Sequence, residues 1–180
     1  MMRLIKKHSK AKGLQPGEVV FIGQKKVDKP RFRIIDYNQT ELQESEVSSI
    51  EECFPFKDKP TVTWINIDGL HDVAIIEKIG AHFGIHPLIL EDIANTGQRP
   101  KIEISDDYIF LSLKMLYLDG AEDHLVSEQF SFIFGNNFVI SFQEKVGDVF
   151  EPVRARLRRS VPRVRFMHSD YLAYTLIDGI

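Results

Sequence analysis

Cysteine is almost absent from this chain. Cys53 is the single one in 180 residues, which excludes an internal disulfide and any zinc or iron–sulfur site built from several cysteines. A basic surplus is absent too. Lys and Arg number 23 against 26 Asp and Glu, a formal charge of −3, so there is no global case for a nucleic-acid binder. Long apolar runs are missing: the most apolar stretch, Ile109 to Leu118, contains Ser112 and Lys114 and is too short to span a bilayer as a helix. The opening residues, MMRLIKKHSKAKG, are basic but lack the apolar run of a secretory signal. There is no Gly-rich phosphate loop ending in Gly-Lys-Ser/Thr, no Gly-x-Ser-x-Gly elbow and no His-Glu-x-x-His. Nothing therefore points to an enzyme. His82 and His86 are four apart, but Gly84 between them and Pro87 after them break the helical face a two-histidine zinc site needs.

What is present is an ordinary globular balance, 43% hydrophobic against 27% charged, and a length that suits one domain with a real core. Residues 1–13 read as a flexible basic tail. Val19–Ile22 and Arg31–Asp36 read as short strands. The polar stretch from Thr40 to Pro60 reads as one short helix capped by Ser45, Ser48 or Ser49, with Cys53 packed inward as a small apolar residue rather than a nucleophile. Thr61–Asp68 is β-branched and carries the only tryptophan, Trp64, which predicts a buried strand. Val73, Ile76, Ile79, Gly80 and Phe83 then form an apolar stripe at helical period behind a His71-Asp72 cap. Lys101–Ile104, Tyr108 onward, Val126–Phe134 and Phe138–Phe142 alternate as an antiparallel meander, with Gly135-Asn136-Asn137 as a hairpin turn. A helix is expected from Gly147-Asp148, with Val149, Val153 and Leu157 inward and Arg154, Arg156, Arg158 and Arg159 mostly outward. A last helix opens at Ser169-Asp170. Its stripe of Leu172, Ala173, Leu176, Ile177 and Ile180 has no stop signal, so the natural chain is expected to continue.

The stretch around which the chain is organised is Gly84 to Glu103. Pro87 suits the first turn of a helix, Leu90, Ile93 and Ala94 recur at helical spacing, and Gly97 offers a left-handed stop before Arg99-Pro100 forces extended backbone. On this helix sit two adjacent carboxylates, Glu91 and Asp92, far from the N-terminus where anions are favoured. A solvated acidic face is the ordinary reading. The other is part of a site for a hard cation such as Mg²⁺, which needs one or two carboxylates and retained waters, completed by a distant or second-chain carboxylate. The arginines from Arg154 to Arg165 read first as a solvated helix face; gripping phosphate or lipid headgroups, or an acidic partner helix, are the alternatives.

The run His86-Pro87-Leu88-Ile89-Leu90-Glu91-Asp92-Ile93, then Gln98-Arg99-Pro100-Lys101 and Glu103, closely resembles the cytoplasmic domain of CorA-type magnesium transporters. The likeness extends to Trp64-Ile65-Asn66-Ile67 and Gly69. Downstream it takes in Phe142-Gln143-Glu144-Lys145, Gly147-Asp148-Val149-Phe150, Pro152-Val153-Arg154, Asp170-Tyr171-Leu172 and Leu176-Ile177-Asp178. The resemblance implies an αβα sandwich around a central mixed, largely antiparallel sheet with helices on both faces. It implies a regulatory domain over residues 14–165, and a segment, 166–180, leading toward a stalk and membrane helices that this sequence lacks. It further implies a homopentamer gated by Mg²⁺ between subunits, with Asp92, Glu91 and Asp178 as metal-sensing carboxylates, and leaves Co²⁺, Ni²⁺ or Zn²⁺ open as alternative ions. Neither enzymatic activity nor a nucleic-acid partner is expected. Membrane contact would come only through the absent helices. The competing class is a free-standing soluble metal- or anion-binding module.

Overall fold

A computed structural model describes residues 13, 15–119, 124–159 and 162–180, so almost all of the basic tail and the turn after Asp119 lie outside the described residues. Strands β1 (Arg31–Tyr37), β2 (Leu42–Val47), β3 (Val62–Asp68), β4 (Lys101–Ile104), β5 (Tyr108–Asp119), β6 (His124–Gly135) and β7 (Phe138–Gln143) form one seven-stranded sheet. Its order is β2-β1-β3-β7-β6-β5-β4. Every neighbouring pair is antiparallel except β3 and β7, which run parallel. This is the expected mixed, largely antiparallel sheet.

Both faces are covered. On one lie a 3₁₀ turn (Ile50–Phe56), α1 (Val73–Phe83) and α2 (Pro87–Ala94); Ile76, Ile79, Ile89 and Ile93 pack there with Ile34, Ile65, Ile67, Phe110, Ile133 and Ile140 of the sheet. On the other lie α3 (Glu151–Arg158), α4 (Pro162–Phe166) and α5 (Ser169–Ile177); Phe150, Leu157, Leu172 and Leu176 meet Ile35, Trp64, Phe130, Phe132 and Val139. Strand side chains alternate between faces, so strands sandwiched by helices are apolar on both. That is why Ile133 and Val139 are buried opposite the aromatic residues beside them. α1 and α2 approach closely because Gly80 has no side chain. A Cβ there would lie 2.2 Å from Leu90 Cδ1.

Several local expectations are corrected. Val19–Ile22 is no strand: only Ile22 makes a bridge, to Asn95. The polar stretch after Thr40 holds β2 as well as the 3₁₀ turn, because an edge strand tolerates the charges of LQESEV. Ser49 does start the turn, with the Glu52 carboxylate accepting the backbone N–H groups of Ser48 and Ser49 at 3.0 Å each. Gly97 does not end α2; the cap is Asn95 in extended conformation. α3 begins at Glu151, later than expected, and α5 ends at Ile177, where Asp178 N–H bonds to Tyr174 O. Arg154 points inward, not out.

Candidate metal-binding site

Pro87 opens α2 and His86 caps it, its ring Nδ1 accepting Leu88 N–H at 3.3 Å. The helix carries Glu91 and Asp92 to its C-terminal end, and that end is gripped from several sides. Gly17 N–H donates to Glu91 Oε2 at 3.1 Å; the Gly17 φ of +86° and a Cβ position 3.1 Å from Pro87 Cβ explain why glycine stands there. Ile22 N–H donates to Ala94 O and Thr96 N–H to Ile22 O, each at 2.9 Å. From the sheet, Gln129 Nε2 donates to Asp92 O at 3.2 Å and Ile93 O at 3.5 Å. Lys114 Nζ donates to Thr96 O at 2.8 Å and Gln129 Oε1 at 3.4 Å. Burial holds the Lys114 pKa below its ordinary value. Behind Gln129, its backbone N–H donates to Glu144 Oε1 at 2.9 Å, and Glu144 pairs with Lys26 at 2.7 Å.

The Asp92 carboxylate is occupied within the chain. Gln98 Nε2 donates to Oδ1 and the Lys101 ammonium pairs with Oδ2. Lys101 also pairs with Glu103 Oε1 at 2.5 Å and lies 5.9 Å from the centre of the Phe110 ring. The Asp92 side chain is 14% exposed and that of Lys101 29%, so the pair is open to solvent at one edge. Burial raises the Asp92 pKa; Lys101 opposes the rise, while Glu103 and Glu91 add to it. For Lys101, burial works to lower the pKa, but the hydrogen bonds to Asp92 and Glu103 prevail and lift it.

Asp178 sits elsewhere. It is the exposed C-cap of α5, in the opposite helical layer. One chain therefore brings Glu91 and Asp92 together but not Asp178, and no group of three or more metal-ligating His, Cys, Asp or Glu occurs among the described residues. Two adjacent carboxylates at a partly exposed helix end are hard oxygen donors of the kind a hydrated Mg²⁺ takes. The residues fit such an ion as part of its shell, the rest being water or another chain. The sequence did not reveal the roles of Gln98, Lys101, Lys114 and Gln129. The opposite charge just beyond Arg99-Pro100 was the one available signal.

Other candidates are spoken for. Cys53 is buried and unpaired, and burial, with Glu52 and Glu51, pushes its thiol up to about 12. His82 stacks on Phe54 at 4.1 Å, away from the cap role of His86. In the arginine run, Arg154 forms a buried fork with Asp148, Arg158 pairs with Glu44 and Glu151, and Arg165 Nε donates to Leu157 O at 2.7 Å. These three are tied into the fold rather than presented to an anion. Among the described residues no helix is long and apolar enough to cross a membrane.

Comparison with known proteins bears on the same site. The model of the family described as CorA-like Mg²⁺ transporter protein matches residues 59–179. The cobalt/magnesium transport protein CorA of Thermotoga maritima is 44% identical over 175 residues, 97% of this chain and 50% of that protein. The chain thus spans half the length of that curated relative. Among solved structures, the CorA magnesium transporter of Methanocaldococcus jannaschii superposes with a TM-score of 0.55 at 16% identity, over 82% of this chain and 44% of the other. The soluble domain of CorA from that organism gives 0.51 at 15% identity, over 82% and 54%. These structural likenesses bear on the fold, which is shared.

Proposed function

Because the chain belongs to the family of CorA-like Mg²⁺ transporter proteins, we propose that it is the cytoplasmic regulatory domain of a homopentameric divalent-cation transporter, gated by Mg²⁺ held between subunits. Co²⁺ and Ni²⁺ are further candidates for the transported ion. On this reading residues 14–165 form the regulatory domain, 166–180 lead toward the stalk, and the membrane is reached through later helices. The domain performs no catalysis and takes no nucleic acid.

The observation that carries the reading is the held end of α2, where Glu91 and Asp92 stand side by side and partly exposed. An incomplete donor set of this kind suits a site shared between chains. Asp92 and Glu91 of one subunit would act with acidic residues of its neighbour, and Asp178 in the other layer would serve a second contact. A bound Mg²⁺ supplies two positive charges that cancel the repulsion among these carboxylates. So neutralised, the facing carboxylates hold the subunits in the closed arrangement. Left bare, they repel and the subunits relax toward an open pore. Each site biases this equilibrium only by its differential affinity, about 1.4 kcal/mol per tenfold, so firm closure takes several sites.

Asp92→Ala in the full-length transporter tests the reading. Protection from proteolysis by Mg²⁺ should require roughly tenfold more of the ion, or be lost, on the scale of one displaced carboxylate. Protection at an unchanged Mg²⁺ concentration overturns it.

A further inference from the structure

We propose that Lys101 is a built-in competitor for the regulatory cation, its ammonium occupying Asp92 and setting the Mg²⁺ concentration at which that carboxylate changes hands. The inference rests on Asp92 being a sensing carboxylate, as proposed above.

Lys101 is placed by the backbone. Arg99-Pro100 turns the chain out of the α2 end, and Lys101 enters β4 in register with Ser112 of β5. From there its side chain returns to Asp92 Oδ2. The same ammonium has a second anion, Glu103 Oε1 at 2.5 Å, and the Phe110 ring within 5.9 Å. It can therefore leave Asp92 without losing every partner. Release by a short movement between two carboxylates is what an exchangeable competitor requires.

The neighbouring groups do not share this property. Gln98 donates to the other carboxylate oxygen but is neutral and offers a cation no charge repulsion. Lys114, the other ammonium near the α2 end, is spent on Thr96 O and Gln129 Oε1 and is half-buried. Lys101 alone among the described cations forms a salt bridge with Asp92. A divalent ion arriving at Oδ2 meets a positive charge already there, and like charges at contact range repel strongly away from bulk water. Binding is then an exchange of ammonium for metal, weaker than binding to bare carboxylates.

The test compares the full-length transporter with Lys101→Met and Lys101→Arg, reading the Mg²⁺ midpoint both for protection from protease and for direct binding by calorimetry. Lys101→Met should move both midpoints about tenfold lower, the order of effect expected for one contact charge removed. Lys101→Arg keeps the charge, and its guanidinium fork can hold the carboxylate at least as firmly, so its midpoint should stay at or above that of the parent. A midpoint for Lys101→Met that is unchanged or higher overturns the proposal. Should that variant not fold, Glu103→Gln carries the test: with its second anion gone the ammonium is confined to Asp92, and the midpoint should rise. A midpoint that stays put overturns the proposal equally. Asp92→Asn separates the two possible failures. If it leaves the midpoint in place, the sensing role of Asp92 has failed; if it moves the midpoint and Lys101→Met does not, the competitor has failed.

Discussion

On the α1–α2 side of the sheet, the buried amide of Gln129 is satisfied at both ends, donating to Asp92 O and Ile93 O and accepting from Lys114. One strand away, on the α3–α5 side, the equally buried amide of Gln143 has no hydrogen-bond partner among the described residues at either end. Arg154 Nε, on that side too, also lacks one. Gln143 is in register with Phe130 of β6 and Asp68 of β3, which fixes its face. The first layer spends the buried Gln129 amide and the Lys114 ammonium on locking the helix end that carries Glu91 and Asp92. The second holds a charged set, Asp68, Asp148 and Arg154, whose members compensate one another only in part. Rigid positioning belongs to the side that carries Glu91 and Asp92, and electrostatic slack to the other.

The largest break should come from the charged set. Arg154 forks onto Asp148, with Nη1 at 2.7 Å from Oδ1 and Nη2 on Oδ2, and stands 4.9 Å from the centre of the Trp64 ring. Both side chains are almost wholly buried. Arg154→Ala leaves the Asp148 charge buried and alone, which typically costs about 3–5 kcal/mol. Urea unfolding should show that loss. Arg158→Ala, on the same helix but with an exposed pair, should cost under about 1 kcal/mol. Equal losses would mean that burial does not separate the two arginines.

That contrast also marks where the sequence could be read and where it could not. The alternation in β5 and β6 and the stripe Ile76, Ile79, Gly80, Phe83 are local signals, and each became the element expected of it. β2 is hidden in the sequence because its charges resemble a loop until β1 is known to lie beside it. The arginine-rich pattern of its helix points Arg154 outward; its partner, Asp148, lies in the preceding loop, and no periodicity reports that meeting. The same holds at the α2 end. Glu91 and Asp92 stand out as adjacent carboxylates, whereas the Lys101 pairing depends on how β4 returns beneath the helix, and the Gln129 bonds depend on a strand far along the chain. Local pattern marks the ligand candidates. The groups that position or compete for them are tertiary.

A second test concerns pH and the same charged set. Burial lifts the Asp68 carboxyl to about 6, against a hydrogen bond from Asn66 and with the help of the Asp148 charge; Arg154 and Arg31 oppose the rise. A carboxyl raised on folding stabilises the fold fully only below its unfolded value, near 3.9. That contribution is lost as pH rises through the folded value near 6. It should amount to about 2 kcal/mol, allowing for partial exposure to solvent. Unfolding free energies measured from pH 4 to pH 7 should therefore fall less in Asp68→Asn than in the parent, by about that amount. Parallel curves would show that Asp68 ionises normally in the fold. The contrast between the two sides would then rest on the unpartnered Gln143 amide and Arg154 Nε alone.

The smallest effects give the sharpest contrast, because the two glutamines should respond with opposite signs. Gln129→Leu strips Asp92 O and Ile93 O of their amide donor and Lys114 of one acceptor. Asp92 O keeps the Asn95 N–H and Lys114 keeps Thr96 O, so the loss falls mainly on Ile93 O. Depriving a buried carbonyl of its donor costs about 1–3 kcal/mol, and the α2 end should loosen, seen as faster amide exchange at Asn95 and Thr96. Gln143→Leu removes an amide that forms no bond among the described residues, in a setting that already holds Phe130 and Trp64. Replacing an unsatisfied polar group by an apolar one of similar size is neutral or stabilising, here by up to about 1 kcal/mol. A loss of stability in Gln143→Leu as large as that in Gln129→Leu would mean that the second amide is paired in solution. The two layers would then handle buried polarity alike, and the rigidity of the α2 end could not be ascribed to its hydrogen bonds alone.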